Sequence, residues 1–205
     1  GPATLSGYQA GRAQQPRPGS TSLLPSIDGL RIERAGTQRW LVVDEPPEKL
    51  RPINIPLTAT APVIDGRIDE EVWKQASVFK DFYQTYPGDN IAPSKPTEVL
   101  VMYDEKHLYV AFKCWDEKDK IRATVAKRDN VFGEDNVRMW LDTYNDQRRA
   151  YVLGFNPLGI QQDGIFTEGQ GADFSVDIVM ESKGVIEDWG WSVEVRIPFK
   201  SLRYS

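Results

Sequence analysis

The sequence predicts an all-β protein, an antiparallel β-sandwich of the immunoglobulin or jelly-roll type, with one short helix near residues 70–76. Three observations predict this fold. From residue 98 onward, short segments alternate apolar and polar residues with the period of two that a half-buried strand requires. Turn residues separate these segments, as in a sandwich. The 205 residues are 40% hydrophobic, which is enough for one domain with a core and a tail.

The first 56 residues are predicted to be a flexible extension and linker. Residues 1–28 are rich in Gly, Pro, Ser, Gln and Thr, a composition typical of a flexible tail. Residues 38–45 are strand-like, and Pro46 and Pro47 end that segment because proline cannot donate to a ladder. The sandwich domain is therefore predicted to span residues 57–205, as a piece of a larger protein.

The sandwich domain is predicted to begin with a turn and the short helix. Asp65-Gly66 favours a turn, and Asp69 can cap the helix at 70–76. Prolines and glycines then predict a loop over residues 83–96. The predicted strands that follow are residues 98–103, 107–115, 136–143, 149–156, 175–181 and 190–197.

The last of these strands has the clearest alternation. Its apolar set is predicted to face the core and its polar set to face outward. The inward residues are Trp191, Val193, Val195 and Ile197, and the outward residues are Ser192, Glu194 and Arg196. Trp73 is also predicted to lie in the core, as is Cys114, the single cysteine.

Charge and motifs exclude several classes of function. The net charge of -5 and the mixed signs argue against a nucleic-acid surface, which needs clustered basic charge. No apolar stretch is long enough to span a bilayer as a helix. No nucleophile elbow, phosphate loop or zinc spacing occurs, and the scattered carboxylates are typical of a solvated surface. The chain is therefore predicted not to be an enzyme.

Aromatic residues make up 11% of the sequence and are the best candidates for a binding site. Aromatic faces stack on sugar rings, while charged and amide side chains bind the hydroxyl groups. An alternative is that each ring packs under a loop or in the core. The candidate ligand-binding residues are Trp115, Phe132 and Trp140 as stacking platforms, with Arg128, Asp135, Arg138 and Asp142 as polar partners.

One loop is rich in oxygen ligands and could hold calcium. Its candidate ligands are Asp129, Glu134 and Asp135, although their spacing is not that of an EF-hand. No other cofactor is predicted. Haem would need axial Met or His ligands, and the three Met and one His are not spaced as a pair.

From about residue 60 onward the chain resembles the family 9 carbohydrate-binding modules. More specifically, it resembles the module-like domain at the N-terminus of large outer-membrane β-barrel proteins of unsettled function. The resemblance rests on an ordered set of motifs. These are PVIDGRIDEEVW (62–73), VLVMYDEKHLYV (99–110), FGEDNVRMWLD (132–142), NPLG (156–159) and WSVEVRIP (191–198).

The resemblance implies an antiparallel sandwich that binds saccharides without catalysis. Members of the family clamp a sugar between two tryptophan rings. The first ring position corresponds to Phe132 here, and a sugar-binding glutamate corresponds to Arg138. The second tryptophan lies in a segment beyond residue 198 that has no counterpart in this chain. Residues 38–45, another chain or a later segment are expected to pair with the sheet edge thereby left open.

A second, shorter resemblance involves residues 38–52, which are similar to a stretch of BamC, a lipoprotein of the machinery that inserts outer-membrane barrels. The expected partner is thus a saccharide or an outer-membrane protein. Two functions remain open: a carbohydrate-binding module at the N-terminus of an outer-membrane protein, and a protein-interaction domain of a β-barrel or of its assembly machinery. Both place the protein in the periplasm or cell envelope, attached to the outer membrane.

Overall fold

A computed structural model describes most of the chain. It covers residues 4–12, 28–35, 54–80, 82–86, 92–125, 127–144, 146 and 148–203. The described strands, in chain order, are β1 (Thr4–Arg12), β2 (Asp28–Ala35), β3 (Ser77–Phe79), β4 (Tyr83–Tyr86), β5 (Thr97–Tyr103), β6 (His107–Trp115), β7 (Asn136–Leu141), β8 (Arg149–Phe155), β9 (Gln161–Thr167), β10 (Gly171–Asp173), β11 (Glu181–Glu187) and β12 (Gly190–Pro198).

These strands form two antiparallel sheets, which confirms the predicted sandwich. The larger sheet has the order β10-β9-β8-β7-β2-β1-β4, and the smaller has the order β11-β12-β6-β5-β3. The helical segments in the described residues are short 3₁₀ turns at Glu71–Gln75, Lys118–Lys120 and Phe199–Ser201. The first of these corresponds to the predicted helix near 70–76.

The main core lies between the two sheets. It is built from alternate residues of the smaller sheet, such as Phe112 and Cys114, and of the larger sheet, such as Met139 and Leu141. All four side chains are fully buried. Because successive strand residues point to opposite faces, Lys113 and Trp115 lie on the outer face of the smaller sheet. The predicted burial of Cys114 and of the inward set of β12 is confirmed.

The N-terminal part differs from the expectation of a flexible tail. Thr4–Arg12 forms β1, and Asp28–Ala35 forms β2, which pairs with β7 from Leu30 opposite Leu141 to Ala35 opposite Asn136. Residues 4–12 and 28–35 thus extend the larger sheet beyond β7. The strand-like segment 38–45, expected to pair with an open sheet edge, lies outside the described residues. Composition missed these strands because the partner that joins them to the sandwich, β7, is far away in the sequence.

Three further sequence expectations were wrong. The loop predicted over residues 83–96 begins with strand β4, Tyr83–Tyr86. The predicted strand at 175–181 is irregular up to residue 180, and β11 begins only at Glu181. In this segment side chains bind the backbone of Ile178: Asp163 accepts a hydrogen bond from the N–H of Ile178, and Arg128 donates one to the carbonyl of Ile178. Asp69 does not cap the 3₁₀ turn, since the N-cap position is Glu70 and carries no side-chain capping bond.

A second apolar cluster covers the outer face of the smaller sheet. Trp73 and Ala76, from the segment before β3, pack there on Tyr109 and Ala111 of β6. The predicted burial of Trp73 is confirmed. This segment also covers Glu194 of β12, which is fully buried although its strand pattern predicted an outward side chain.

Glu194 is held by three hydrogen bonds from that covering segment. Its Oε2 accepts from the backbone N–H of Asp65 at 2.9 Å and of Gly66 at 2.7 Å, and its Oε1 accepts from Trp73 Nε1 at 2.8 Å. Ser192, also buried, donates its hydroxyl to the carbonyl of Gly66 at 2.6 Å. The two polar side chains of β12 thus fasten residues 65–73 to the sheet.

The stability of the protein is expected to fall as the pH rises from about 4.5 to about 7. Burial raises the pKa of Glu194 from 4.5 to about 7, although its three N–H donors act in the opposite direction. The folded state therefore binds more protons than the unfolded state in this window, and the free energy of unfolding declines until the carboxyl is ionised in both states. Urea unfolding of the wild type and Glu194→Gln across this range measures the effect. Parallel pH profiles for the two proteins would contradict it.

Candidate functional site

Aromatic side chains gather on the outer face of the larger sheet. We call Phe132, Trp140, Phe166 and Phe174, together with Arg138, the aromatic face. Trp140 and Arg138 alternate with the buried Met139 and Leu141 along β7, so they point away from the core. All five side chains are partly exposed.

Strand register places the aromatic face on three neighbouring strands. Arg138 of β7 lies opposite Gly154 of β8, which lies opposite Gln162 of β9. One row further along the strands, Trp140 lies opposite Val152, which lies opposite Gly164. Each row contains one glycine, Gly154 on β8 and Gly164 on β9, which leaves room for rings from outside the sheet.

Phe132 is fixed over the first of these rows. The side-chain oxygen of Gln162 accepts from the N–H of Val131 at 2.9 Å and of Phe132 at 3.3 Å, which holds the loop before β7 on the sheet. The ring then occupies the space above Gly154, where an added Cβ would overlap Cε1 of Phe132. The Arg138 guanidinium carbon lies 3.6 Å from the ring centroid, so a cation covers one side of the ring.

The other rings extend this surface. Phe174 makes an edge contact with Phe132, with the centroids 5.5 Å apart, and a Cβ on Gly164 would lie 2.8 Å from Cδ1 of Phe174. Trp140 and Phe166 form a second edge pair at 5.2 Å. Rings held in two such pairs are preorganised for stacking, and the guanidinium adds hydrogen-bond donors. This combination can bind a ligand that has both apolar faces and hydroxyl groups.

The predicted partner Arg128 is engaged in the fold. Its Nη2 lies 2.9 and 3.0 Å from the two carboxylate oxygens of Asp163, and it donates to the carbonyl of Ile178 at 3.1 Å. Asp163 is fully buried, and burial raises the pKa of its carboxyl although Arg128 and the Ile178 N–H favour the charged form. Arg128 therefore compensates a buried charge. Its Nε also lies 3.5 Å from Oδ1 of Asp177.

The carboxylates of the predicted calcium loop are hydrogen-bonded to protein groups. Glu134 accepts from the N–H of Thr124 at 2.8 Å and from its hydroxyl at 2.7 Å, and Asp135 accepts from the N–H of Arg122 at 2.7 Å. Asp129 lies 3.4 Å from the N–H of Asp163. Within the described residues, no group of three or more His, Cys, Asp and Glu side chains is placed to hold a metal ion.

The last two predicted residues are Asp142, which follows β7, and Trp115, at the end of β6. Asp142 is nearly buried, and its carboxylate accepts from the N–H of Tyr144 at 3.1 Å beyond the end of β7. Trp115 is on the outer face of the smaller sheet, so the whole core separates it from Trp140. Of the seven predicted residues, Phe132, Arg138 and Trp140 belong to the aromatic face and Trp115 lies on the other sheet. Arg128, Asp135 and Asp142 are hydrogen-bonded to other protein groups.

Sequence reasoning missed Phe166, Phe174, Gly154 and Gln162. The strand Gln161–Thr167 was not predicted because it has no apolar–polar alternation, and its pairing with β8 brings Gln162 and Phe166 to the face. Gly154 lies inside a predicted strand, where a glycine can indicate close approach of another group. That signal could have located the Phe132 ring.

A short part of the chain matches curated proteins of outer-membrane assembly. It is 57% identical over 53 residues to outer membrane protein assembly factor BamC of Thiobacillus denitrificans, and 51% identical over 51 residues to the BamC of Accumulibacter regalis. These matches cover 26% and 24% of this chain, and only 14% and 13% of the two relatives. The resemblance to BamC is thereby confirmed for a short segment. In the described part of the chain, no helix has the length and apolar character needed to cross a membrane.

Most of the chain matches carbohydrate-binding modules. Two solved structures of a family 9 module from Caldicellulosiruptor kristjanssonii, one with cellotriose and one with glucose, superpose with TM-scores of 0.50 at 17% and 19% identity. Each match covers 70% of this chain, and 66% and 68% of the respective module, so it shows a shared fold. The family model described as carbohydrate family 9 binding domain-like matches residues 64–205, and the chain belongs to that family.

Proposed function

We propose that the chain is a non-catalytic saccharide-binding module and that its ligand stacks on the aromatic face. The observation that carries the proposal is the set of four partly exposed rings fixed around Arg138 on one sheet face of a family 9 fold. The structural relatives were solved with glucose and cellotriose, which makes these two sugars the first probes.

The aromatic face supports a different geometry from a clamp between two parallel rings. Arg138 already stacks on Phe132, and the ring pairs meet edge to face at 74° and 70°. A sugar would therefore lie across the face, with its C–H side on the rings and its hydroxyl groups beside the guanidinium. This open arrangement suits the side of a saccharide chain.

Gly154→Ala is expected to weaken saccharide binding by about fivefold without removing any ring, because loss of one good stacking contact is worth about 1 kcal/mol. The added methyl group overlaps Phe132 and approaches the Gln162 carbonyl at 3.3 Å, so the ring must leave its position. Titration calorimetry with cellotriose and glucose measures the dissociation constant. Phe132→Ala and Trp140→Ala should also lose affinity.

Gly133→Ala is the matched control for this experiment. It makes the same glycine-to-alanine change in the loop that carries Phe132, but a Cβ at Gly133 would meet nothing within 4 Å. Binding should be unchanged in this variant. Equal binding by wild type, Gly154→Ala and Phe132→Ala would refute the aromatic face as the site.

A second candidate function is protein interaction at the outer membrane, supported by the short identity to BamC. We propose that the protein resides in the periplasm or cell envelope, attached to the outer membrane. Residues 38–52 would then contact the barrel-assembly machinery. Co-purification with a purified barrel-assembly complex tests this, and Trp40→Ala with Leu41→Ala should abolish it. Unchanged co-purification of that variant, or none by the wild type, would count against the interaction.

A further inference from the structure

A cleft of about 320 Å³ opens on the opposite side of the sandwich from the aromatic face. Three segments meet there: the C-terminal end of β6, the turn between β11 and β12, and residues 67–69 of the covering segment. Its volume lies at the small end of the range for small-molecule sites, about 300–1,000 Å³. The side chains that matter are Arg67, Asp69, Lys113, Trp115, Glu187 and Trp189.

Two tryptophan rings form one corner of this cleft. The centroids of Trp115 and Trp189 are 5.6 Å apart, with the rings inclined at 52°. Trp189, in the turn between β11 and β12, is 37% exposed. The rings are too close to admit a ligand between them, so a ligand would stack on their open faces.

The backbone fixes the position of this corner. The backbone carbonyl of Trp189 accepts a hydrogen bond of 3.1 Å from the N–H of Asp116, and this bond joins the turn to the end of β6. Gly190 has a φ of 148°, and a Cβ there would overlap the carbonyl of Cys114. The turn can therefore sit against β6 only because the residue after Trp189 is glycine. A site fixed in this way loses little conformational entropy on binding.

The remaining walls carry balanced charges. Lys113 Nζ lies 5.4 Å from the centroid of Trp115 and 6.0 Å from that of Trp189. Arg67 and Glu187 make a long contact of 3.4 Å, with side chains 49% and 37% exposed, and Asp69 lies beside them. Two cations and two anions around an aromatic corner offer both donors and acceptors without net charge, which favours a neutral polyhydroxylated ligand over an ion.

We propose that this cleft is a second saccharide-binding site, which takes a neutral mono- or disaccharide unit. The sugar ring stacks on the tryptophan corner, Lys113 and Arg67 donate to its hydroxyl oxygens, and Asp69 and Glu187 accept from its hydroxyl groups. The site is independent of the aromatic face, because the core lies between the two. The module would thereby hold two glycan segments on opposite sides.

Calorimetry and intrinsic tryptophan fluorescence with glucose, xylose, mannose, galactose and cellotriose test the proposal. We compare wild type, Trp189→Ala, Phe132→Ala and the double variant, with circular dichroism to verify folding. The wild type should bind two equivalents, each single variant one, and the double variant none. Asp69→Ala, an exposed change, should raise the dissociation constant of the cleft about tenfold, as expected for loss of one hydrogen bond to a charged group.

The outcomes separate this site from the aromatic face. If Phe132→Ala abolishes all binding while Trp189→Ala and Asp69→Ala retain the full wild-type stoichiometry and affinity, the cleft is not a site, although the proposed function stands. If Trp189→Ala and Asp69→Ala weaken binding that Phe132→Ala preserves, the cleft is established even though the aromatic face fails. No binding of any of these sugars by the wild type overturns the cleft and the aromatic face together.

Discussion

Glu194→Ala is expected to lower the free energy of unfolding by about 3–5 kcal/mol, because two buried N–H donors and one partly buried donor lose their acceptor and each unsatisfied group costs about 1–3 kcal/mol. The donors belong to Asp65, Gly66 and Trp73, so the loss falls on the attachment of the covering segment to β12. The shortened side chain also leaves a cavity in a fully buried position. Chemical denaturation at neutral pH measures the change.

Glu71→Ala is a suitable control, because it makes the same substitution in the same segment at a side chain that is 84% exposed. Its 2.6 Å ion pair with Lys74 lies on the surface and is worth about 0.5 kcal/mol or less. A loss below about 1 kcal/mol in Glu194→Ala would show that the covering segment does not depend on this carboxylate. The stability loss of Glu194→Gln should lie between those of Glu71→Ala and Glu194→Ala. The amide oxygen can accept from two donors, but the amide nitrogen then places a donor opposite the Trp73 N–H.

Arg128→Ala is expected to destabilise the protein by about 3 kcal/mol, because removal of one partner leaves a buried charge uncompensated. Asp163 is fully buried, and the Ile178 carbonyl loses its donor as well. Burial already raises the pKa of Asp163, and loss of the neighbouring cation raises it further. The folded variant therefore binds a proton more readily than the unfolded chain, and its destabilisation should grow as the pH rises.

Urea unfolding of Arg128→Ala on the acidic and the alkaline side of neutrality checks both statements. Arg148→Ala serves as the reference, since that side chain is 77% exposed and lies 4.0 Å from Glu168. It should change stability by less than about 0.5 kcal/mol. A small effect of Arg128→Ala at every pH would return this arginine to the list of candidate ligand-binding residues.

Much of the fold could be predicted from the alternation of single strands. The strand His107–Trp115 was predicted at its observed bounds, and the inward set of β12 is buried as its pattern indicated. The strands that were missed are short or weakly patterned, as in Gly171–Asp173, or lie in segments whose composition favours a tail, as in Thr4–Arg12. Such strands form because the unpaired N–H and C=O groups of an open sheet edge bind them. The sequence pattern of the segment itself contains no information about that edge.

The candidate site was predictable only in part, for the same reason. Phe132, Arg138 and Trp140 lie close together in the sequence, on one loop and one strand, so a local motif could identify them. Phe166 and Phe174 reach the same face only through the register of β8 with β9 and the approach of residue 174 to Gly164. Strand register across separate segments decided which rings meet.

For Glu194 and Trp115, the sequence by itself determined the direction of the side chain, and the tertiary structure determined its burial. The alternation of β12 and β6 correctly placed both side chains on the face away from the core. Whether that face meets solvent depends on residues far away in the chain. The segment around Gly66 and Trp73 covers Glu194 completely, whereas at Trp115 the cover ends and leaves a cleft. Local periodicity determines direction, and only long-range packing determines burial.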